Sequence, residues 1–468
     1  MLAAVLAIAS ISQAALEIKN LAVSPDAAIR LERVEISFDL AGSFKNPFDP
    51  REIDVMATVE GPGGTVAEVP GFFAFPGWKI AFAPWTGGNF YVSISCTDRI
   101  ARLDYKKFQI EVAPLRKNSK WPAGFLETKK NKKYFSIGGK GLFVVAREGT
   151  LPDRANTLLF QLGGSYPTEG PIGNYRLDQF DGIDKNLASA KEERTYTLLC
   201  LGAGRDLTGE GWKGNPYNKV NGGPCETPED FWTNLQARVY FKKWLRYLLA
   251  RTNAHWSMGG VLLWRDKSAP NYWLEEMADE VYALHPYSIP IISPIEGPFQ
   301  ASAKVNTLSL PSGNSVTYKL PLLTIASEVR GLYRALVQGA AGAISPVLAT
   351  RSFAERGSAR PFSEFAERYD LLKRSFESKP MVTGADCKGW ALIDSRGGPV
   401  YVEANDAEAL AGTAKLAVRS GGDYKITWID PFTGVKIGEG VAKAAQGALV
   451  IAYPAFADGL AGHLEKSN

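Results

Sequence analysis

A chain of 468 residues is too long for one ordinary core and divides into two or three units of roughly 100 to 250 residues. Hydrophobic residues at 45% and charged residues at 22% argue against both a disordered chain and a membrane-embedded one. A formal net charge of +4 leaves no basic stripe for nucleic acid, and the one dense cluster, Lys129-Lys130-Asn131-Lys132-Lys133, reads as a solvated turn between strands.

Residues 2–9 form a short apolar run followed by Ser12-Gln13-Ala14, which predicts a signal peptide over residues 1–14 with cleavage before Ala15. No Lys or Arg precedes that run, so only the amino terminus supplies the positive charge such a segment uses. No later stretch reaches the ~18 to 20 apolar residues that span a bilayer. The expectation is a protein without a membrane span that is secreted, periplasmic or held at the cell surface.

From residue 16 to 114 apolar and polar residues alternate in short runs such as Val34-Glu35-Ile36-Ser37-Phe38-Asp39-Leu40, with Gly and Pro between them. Period two with turn punctuation predicts an antiparallel β-sandwich. Its aromatics Trp78, Phe82 and Trp85 have the spacing of a core, with a sugar platform as the alternative. Over residues 120–375 eight apolar strand candidates follow in order, near 134–138, 157–162, 196–201, 260–264, 289–295, 304–310, 320–325 and 341–347. Eight strands with amphipathic helices between them predict a TIM (β/α)8 barrel. One helix is predicted at 234–251, with Phe241, Trp244, Leu245 and Leu248 on one face, Lys242, Lys243, Arg246 and Arg251 on others, and Thr227-Pro228-Glu229-Asp230 at its start. A second is predicted at 272–284. The connections near 147–156, 296–304 and 311–319 are at or below the ~10 to 12 residues of a helical crossover, so the barrel is expected to be degenerate. Residues 376–468 alternate again and predict a small C-terminal β-sandwich.

Cys96, Cys200, Cys225 and Cys387 have no CxxC spacing, which argues against a metal site. Cys200 and Cys225 either pair across one loop or remain buried thiols. None of His255, His285 and His463 stands near a nucleophile motif. The run GGKGLF from Gly138 to Phe143 is too short for a dinucleotide loop, and no cofactor is expected.

Residues 258–268, MGGVLLWRDKS, resemble the end of the fourth strand in glycoside hydrolases of the retaining (β/α)8 clan A, where Trp-Asn-Glu is usual. The loop NPYNKVNGGPCETPEDFWTN at 215–234 is similar to the one after the third strand in such proteins. Residues 30–113 resemble an N-terminal sandwich of unassigned function that precedes the barrel in some bacterial members, and GGDYKITWIDPFTG with GALVIAYPAF resembles their C-terminal sandwich. The resemblance implies a retaining mechanism, which needs two carboxyl groups about 5 to 5.5 Å apart.

Against that pattern Arg265 stands for the Asn and Asp266 for the acid/base Glu. Asp266 is shorter by one carbon–carbon bond, about 1.5 Å, and Arg265 beside it favours a carboxylate over an acid. At the end of the seventh strand Ala326 occupies the nucleophile position, and Glu328 follows two residues later, either as a displaced nucleophile or as the first turn of a helix. Tyr166, Glu169, Arg205, Asp206, Trp212, Tyr217, Asn218, Trp264, Arg265 and Glu296 belong to the same strand ends and are the residues expected to hold an oligosaccharide or polysaccharide. The reading that follows is a pseudoenzyme that binds glycan or acts structurally at the cell envelope. An active retaining β-glycoside hydrolase using Asp266 and Glu328, and a protein-interaction module without a sugar site, are the alternatives.

Overall fold

The computed structural model describes residues 15–115, 124–128, 133–148, 155–162, 172–294, 305, 307–310, 321–326, 329–345, 359–419, 421–445 and 447–467. Eight parallel strands run side by side in chain order and close on themselves. They are β1 (Val144–Glu148), β2 (Thr157–Gln161), β3 (Tyr196–Cys200), β4 (Met258–Leu262), β5 (Ile291–Pro294), β6 (Thr307–Leu310), β7 (Leu322–Ile325) and β8 (Gly342–Ser345). Closure is made by β8 against β1, with Val144 opposite Gly342. Every residue of β3 and β4 is buried, which is why these runs read as continuously apolar rather than alternating. Gly260 in β4 has φ +146° and lies so close to β5 that a Cβ there would meet the Pro290 carbonyl oxygen at 2.6 Å.

Seven of the eight strand positions coincide with the expected runs. The first does not: Phe135–Ile137 belongs instead to a small antiparallel sheet with Glu127–Thr128 and Lys140–Leu142, and the ring starts at Val144. The cause is local. Gly138 and Gly139 both take positive φ, +54° and +84°, which folds Ile137 back onto Lys140 in a two-residue hairpin turn.

Helices α1 (Leu177–Glu192), α2 (Leu235–Thr252), α3 (Asn271–Leu284) and α4 (Val329–Val337) follow β2, β3, β4 and β7, and α5 (Arg360–Ala366) follows β8. Among the described residues no helix stands between β1 and β2, β5 and β6, or β6 and β7, and much of those three connections lies outside them. The expected start of α2 at Thr227–Asp230 is instead a separate short helix, Asp230–Thr233. The cap of α2 is Asn234, whose side chain accepts from the backbone N–H of Gln236 and Ala237.

Phe241, Trp244, Leu245 and Leu248 of α2 are all buried against the ring. Its charged side is not left to solvent. Lys243 Nζ pairs with Asp49 at 2.5 Å and Arg246 with Asp54, both on the N-terminal part of the chain. Tyr247 donates to the Phe73 carbonyl at 2.6 Å, and Arg251 pairs with Asp181 and Asp184 of α1.

The N-terminal part forms two sheets over one shared core that contains Trp78 and Phe82. One orders Glu17–Ser24, Val34–Ala41, Gly77–Phe82 and Phe72–Ala74; the other Ala28–Ile29, Arg102–Ala113, Gly88–Asp98, Ile53–Glu60 and Val66–Pro70. Trp85 sits half-buried at the margin, its indole N–H donating to Thr65 Oγ1 at 2.8 Å. The C-terminal part is one eight-stranded antiparallel sheet, not two separate layers. It curls until its ends meet, where Val382 and Lys415 exchange backbone hydrogen bonds of 2.9 and 2.8 Å. Arg334 of α4 pairs with Glu403 in that sheet. No helix of the described residues is long and apolar enough to cross a membrane.

Candidate active site at the barrel mouth

Beyond Leu262 the chain stays tied to both neighbouring strand ends, through Leu263 N–H to the Ile292 carbonyl and Arg265 N–H to the Gly202 carbonyl, each 2.9 Å. Alternation then sends Trp264 and Arg265 to opposite sides. Trp264 goes outward to the helix layer, with ring centroids 5.0 Å from Trp232, 5.5 Å from Trp273 and 6.0 Å from Phe231. The fit is tight enough that a Cβ at Gly202 would meet the indole at 2.2 Å.

Arg265 goes inward across the mouth. Its guanidinium pairs with Glu148, the last residue of β1, with Nη2 to Oε2 at 3.1 Å, and Nη1 donates to Gln161 Oε1, the last residue of β2, at 3.2 Å. Burial lowers the Arg265 guanidinium from its ordinary value, and the nearby Asp266 charge opposes that.

Asp266 makes no hydrogen bond to Arg265. Its Oδ2 accepts from the Gly204 N–H at 2.7 Å, and its Oδ1 accepts from Ser268 N–H at 3.0 Å and Ser268 Oγ at 2.5 Å. Ser268 Oγ in turn accepts from the Trp264 indole N–H at 2.8 Å. Asp206 serves the preceding backbone group in the same loop, accepting from Ala203 N–H at 2.8 Å. Burial raises the Asp206 carboxyl above the usual range, against that backbone bond and Arg205, and the Asp266 charge raises it further. The two aspartates therefore clamp consecutive peptide groups of the loop after β3.

No family model matches the chain. The crystal structure of a "putative glycoside hydrolase" from Bacteroides vulgatus ATCC 8482 aligns over 94% of this chain and 100% of its own, with a TM-score of 0.65 at 12% identity. This chain has a glycoside hydrolase-like fold. Mannan endo-1,4-beta-mannosidases 4 and 3 of Oryza sativa subsp. japonica are 27% and 26% identical over 148 residues, covering 27% of this chain. The chain spans about a third of the length of these curated relatives, 31% of each.

Within this glycoside hydrolase-like chain the other expected site residues fall into three groups. Trp264 and Tyr217 are packed in the core, where Tyr217 meets Phe231 edge-on at 4.9 Å. Asn218 is turned into its own loop, accepting from Val220 N–H and donating to the Trp212 carbonyl, each at 3.1 Å. Trp212 is half-buried and Arg205 exposed. Tyr166, Glu169, Glu296 and Glu328 lie outside the described residues, and with Glu328 goes the carboxyl separation to Asp266. Ala326 is buried, its N–H bonded to the Ile344 carbonyl at 3.0 Å. Cys200 and Cys225 are free and buried, and burial pushes both thiols up to about 12. Among the described residues no group of three or more His, Cys, Asp or Glu could hold a metal ion.

Glu148 and Gln161 were not singled out from the sequence. Their signal was the one used for Arg265, a polar residue closing an apolar run at a strand's C-terminal end.

Proposed function

We propose that this glycoside hydrolase-like protein is an exported, envelope-associated carbohydrate-binding protein that has lost hydrolysis. The hydrogen bonding of Asp266 carries the reading. A retaining acid/base must hand a proton to the leaving oxygen and take one back from water. The oxygens of Asp266 instead accept three hydrogen bonds from Gly204 and Ser268, so turning the side chain toward a sugar would dismantle the loop after β3. Arg265, tied to Glu148 and Gln161, occupies the mouth beside it. Ala326 at the nucleophile position brings no carboxyl.

In this reading the ring is a degenerate (β/α)8 barrel over residues 120–375, set between the N-terminal sandwich at 16–114 and the curled eight-stranded sheet within 376–468, behind a signal peptide at 1–14. Its ligand is a neutral polysaccharide, and β-1,4-mannan is the first to try because the partial relatives are mannan endo-1,4-beta-mannosidases. Trp212 and Arg265 hold the chain, with Tyr166, Glu169 and Glu296, which follow the second and fifth strands in sequence, as the further candidates. Tyr217, Asn218 and Trp264 support the loops.

Calorimetric titration with manno-, gluco- and xylo-oligosaccharides tests the binding half, with heat from at least one series expected. Uniformly flat titrations would leave a structural or protein-interaction module. Turnover of an aryl β-glycoside is expected to be absent. Turnover that disappears in both Asp266→Ala and Glu328→Ala would establish instead an active retaining β-glycoside hydrolase with those two as acid/base and nucleophile.

A further inference from the structure

The C-terminal sheet curls into a tube, and one end of it opens into a cleft of about 510 Å³, within the size range of ligand sites. The cleft is bounded by the segment leading into the first strand of the sheet, by the turn at Asp394–Arg396, and by the chain on either side of residue 420. Its apolar lining is Ile393, Val418 and Tyr424. Lys373, Arg374, Lys379, Arg396 and Arg419 line the cleft too, against the two carboxylates Glu377 and Asp394, an excess of three positive charges in a chain whose total is only +4. No residue of the barrel mouth takes part.

These five cations divide into fixed and available ones. Arg374 is locked: it forks onto Asp394, donates to the Gly397 carbonyl at 2.8 Å and lies over the Phe376 ring at 4.4 Å. Lys379 donates to the Ala417 carbonyl at 3.2 Å. The other three stand on the rim with 68% to 82% of their side chains exposed, in ion pairs of a kind that contributes little in water: Lys373 with Asp370 at 3.1 Å, Arg396 with Asp394 at 3.7 Å and Arg419 with Glu377 at 2.9 Å. An incoming oxyanion can therefore take over these partners at small cost. A guanidinium fork matches such a group with two parallel hydrogen bonds, and a concave basic surface concentrates the field that draws it in.

We propose that this cleft binds an acidic oligosaccharide, seating a carboxylate or sulfate on Arg396 and Arg419, with Lys373 beside them and the sugar ring against the apolar lining. That the oxyanion is carried by a sugar rests on the carbohydrate reading above. The charge distribution disfavours a nucleic acid, because the cleft carries five cations beside two carboxylates and its basic residues form no continuous stripe along the sequence.

Four probes test it by calorimetry on the full chain: an oligogalacturonate, a sulfated oligosaccharide, a neutral manno-oligosaccharide and a short single-stranded DNA. Binding of the first or second is expected, weakening as salt rises through ~0.15 M, and which of the two binds identifies the oxyanion. The double variant Arg396→Glu, Arg419→Glu should raise Kd about 100-fold, roughly tenfold for each guanidinium withdrawn from the anion, with an unchanged thermal unfolding profile reporting an intact fold. Silence from both acidic sugars, DNA binding as tight as theirs, or an affinity untouched by the double variant would each overturn the proposal. The neutral probe reports on the barrel mouth separately. Its silence, together with flat gluco- and xylo-oligosaccharide titrations and with acidic binding intact, sinks the mouth reading and sustains this one.

Discussion

At the barrel mouth Arg265 ends on Glu148 and Gln161, and Asp266 ends on Gly204 and Ser268. At the C-terminal cleft Arg396 and Arg419 reach their acids from solvent, with the Arg396 pair stretched to 3.7 Å. The residue types are the same and their state is opposite. In the first region charge has been absorbed into the fold, where each of these bonds positions a loop or a strand end. In the second it is held loosely, and weak exposed pairs are the ones a ligand can displace. A charged residue at a strand end is thus evidence of chemistry only when its bonding capacity is open to a substrate, and Asp266 spends its capacity on the backbone.

The comparison breaks most visibly if the mouth is not the packed structure described. Trp264→Ala removes an indole enclosed by Trp232, Trp273 and Phe231. It should lower the unfolding free energy by about 3–5 kcal/mol in a denaturant titration, and a loss under about 1 kcal/mol would mean the indole faces a cleft. Enclosure of neutral polar groups makes a second test, through pH. His255 is held down to about 3 by burial and by the positive charges of Arg33, Lys191 and Arg251, and His285 to about 4 by burial, against its contact with the Tyr287 backbone. In the unfolded chain both return to about 6.5. The unfolded state therefore takes up protons first as pH falls: stability is complete above about pH 6.5 and drains away toward pH 4 and 3. At pH 5 each imidazole should cost about 2 kcal/mol relative to pH 7. Urea titrations of the protein and of His255→Leu at both pH values measure the difference, and equal slopes with pH in the two would remove His255 from the account.

A smaller effect separates a structural Asp266 from a catalytic one. Asp266→Ala should cost about 1–2 kcal/mol, from loss of the hydrogen bonds to Gly204 and Ser268 at a half-buried site. Asp266→Glu, which restores the residue type of the glycoside hydrolases, should be destabilising as well, because the longer side chain no longer fits the turn to Ser268. A Glu variant as stable as the parent and newly able to cleave an aryl glycoside would show that the loop tolerates an acid turned toward substrate.

Much of this fold was legible because the signals were local. The runs at 157–162, 196–201 and 260–264 are mainly apolar and bounded by turns, and α2 and α3 have helical spacing. The first strand was misplaced because Phe135–Ile137 is as apolar as Val144–Glu148, and only the turn chemistry of Gly138-Gly139, two positive φ angles in succession, separates a hairpin from a crossover. The site was half legible. Parity along β4 was enough to send Trp264 to the helices if Arg265 faces the mouth, yet the position beside the charged pair suggested a sugar platform. What no local pattern carried was the partner of Asp266, because Gly204 lies 62 residues away and its N–H is aimed only once β3 and β4 are side by side. Glu148 and Arg265 meet across 117 residues for the same reason.

The smallest stability effect belongs to the rim, and it is the one that most sharply divides the two regions. Arg419→Glu places a second acid beside Glu377 where an exposed pair stood, and with the Arg419 side chain 82% exposed the folded state has little to lose. Its unfolding midpoint should move by no more than the equivalent of about 0.5 kcal/mol. Arg265→Glu makes the same charge change at the mouth, but there it sets a new carboxylate against Glu148 in a half-buried site and deprives Gln161 of its donor. That should cost at least about 2–3 kcal/mol, since Glu148 then faces a like charge where the guanidinium stood. If the two reversals prove equally mild, the Arg265 pair is as replaceable as the rim and does not support the strand ends. If Arg419→Glu is instead the costly one, the cleft is held shut by its ion pairs and cannot receive an anion.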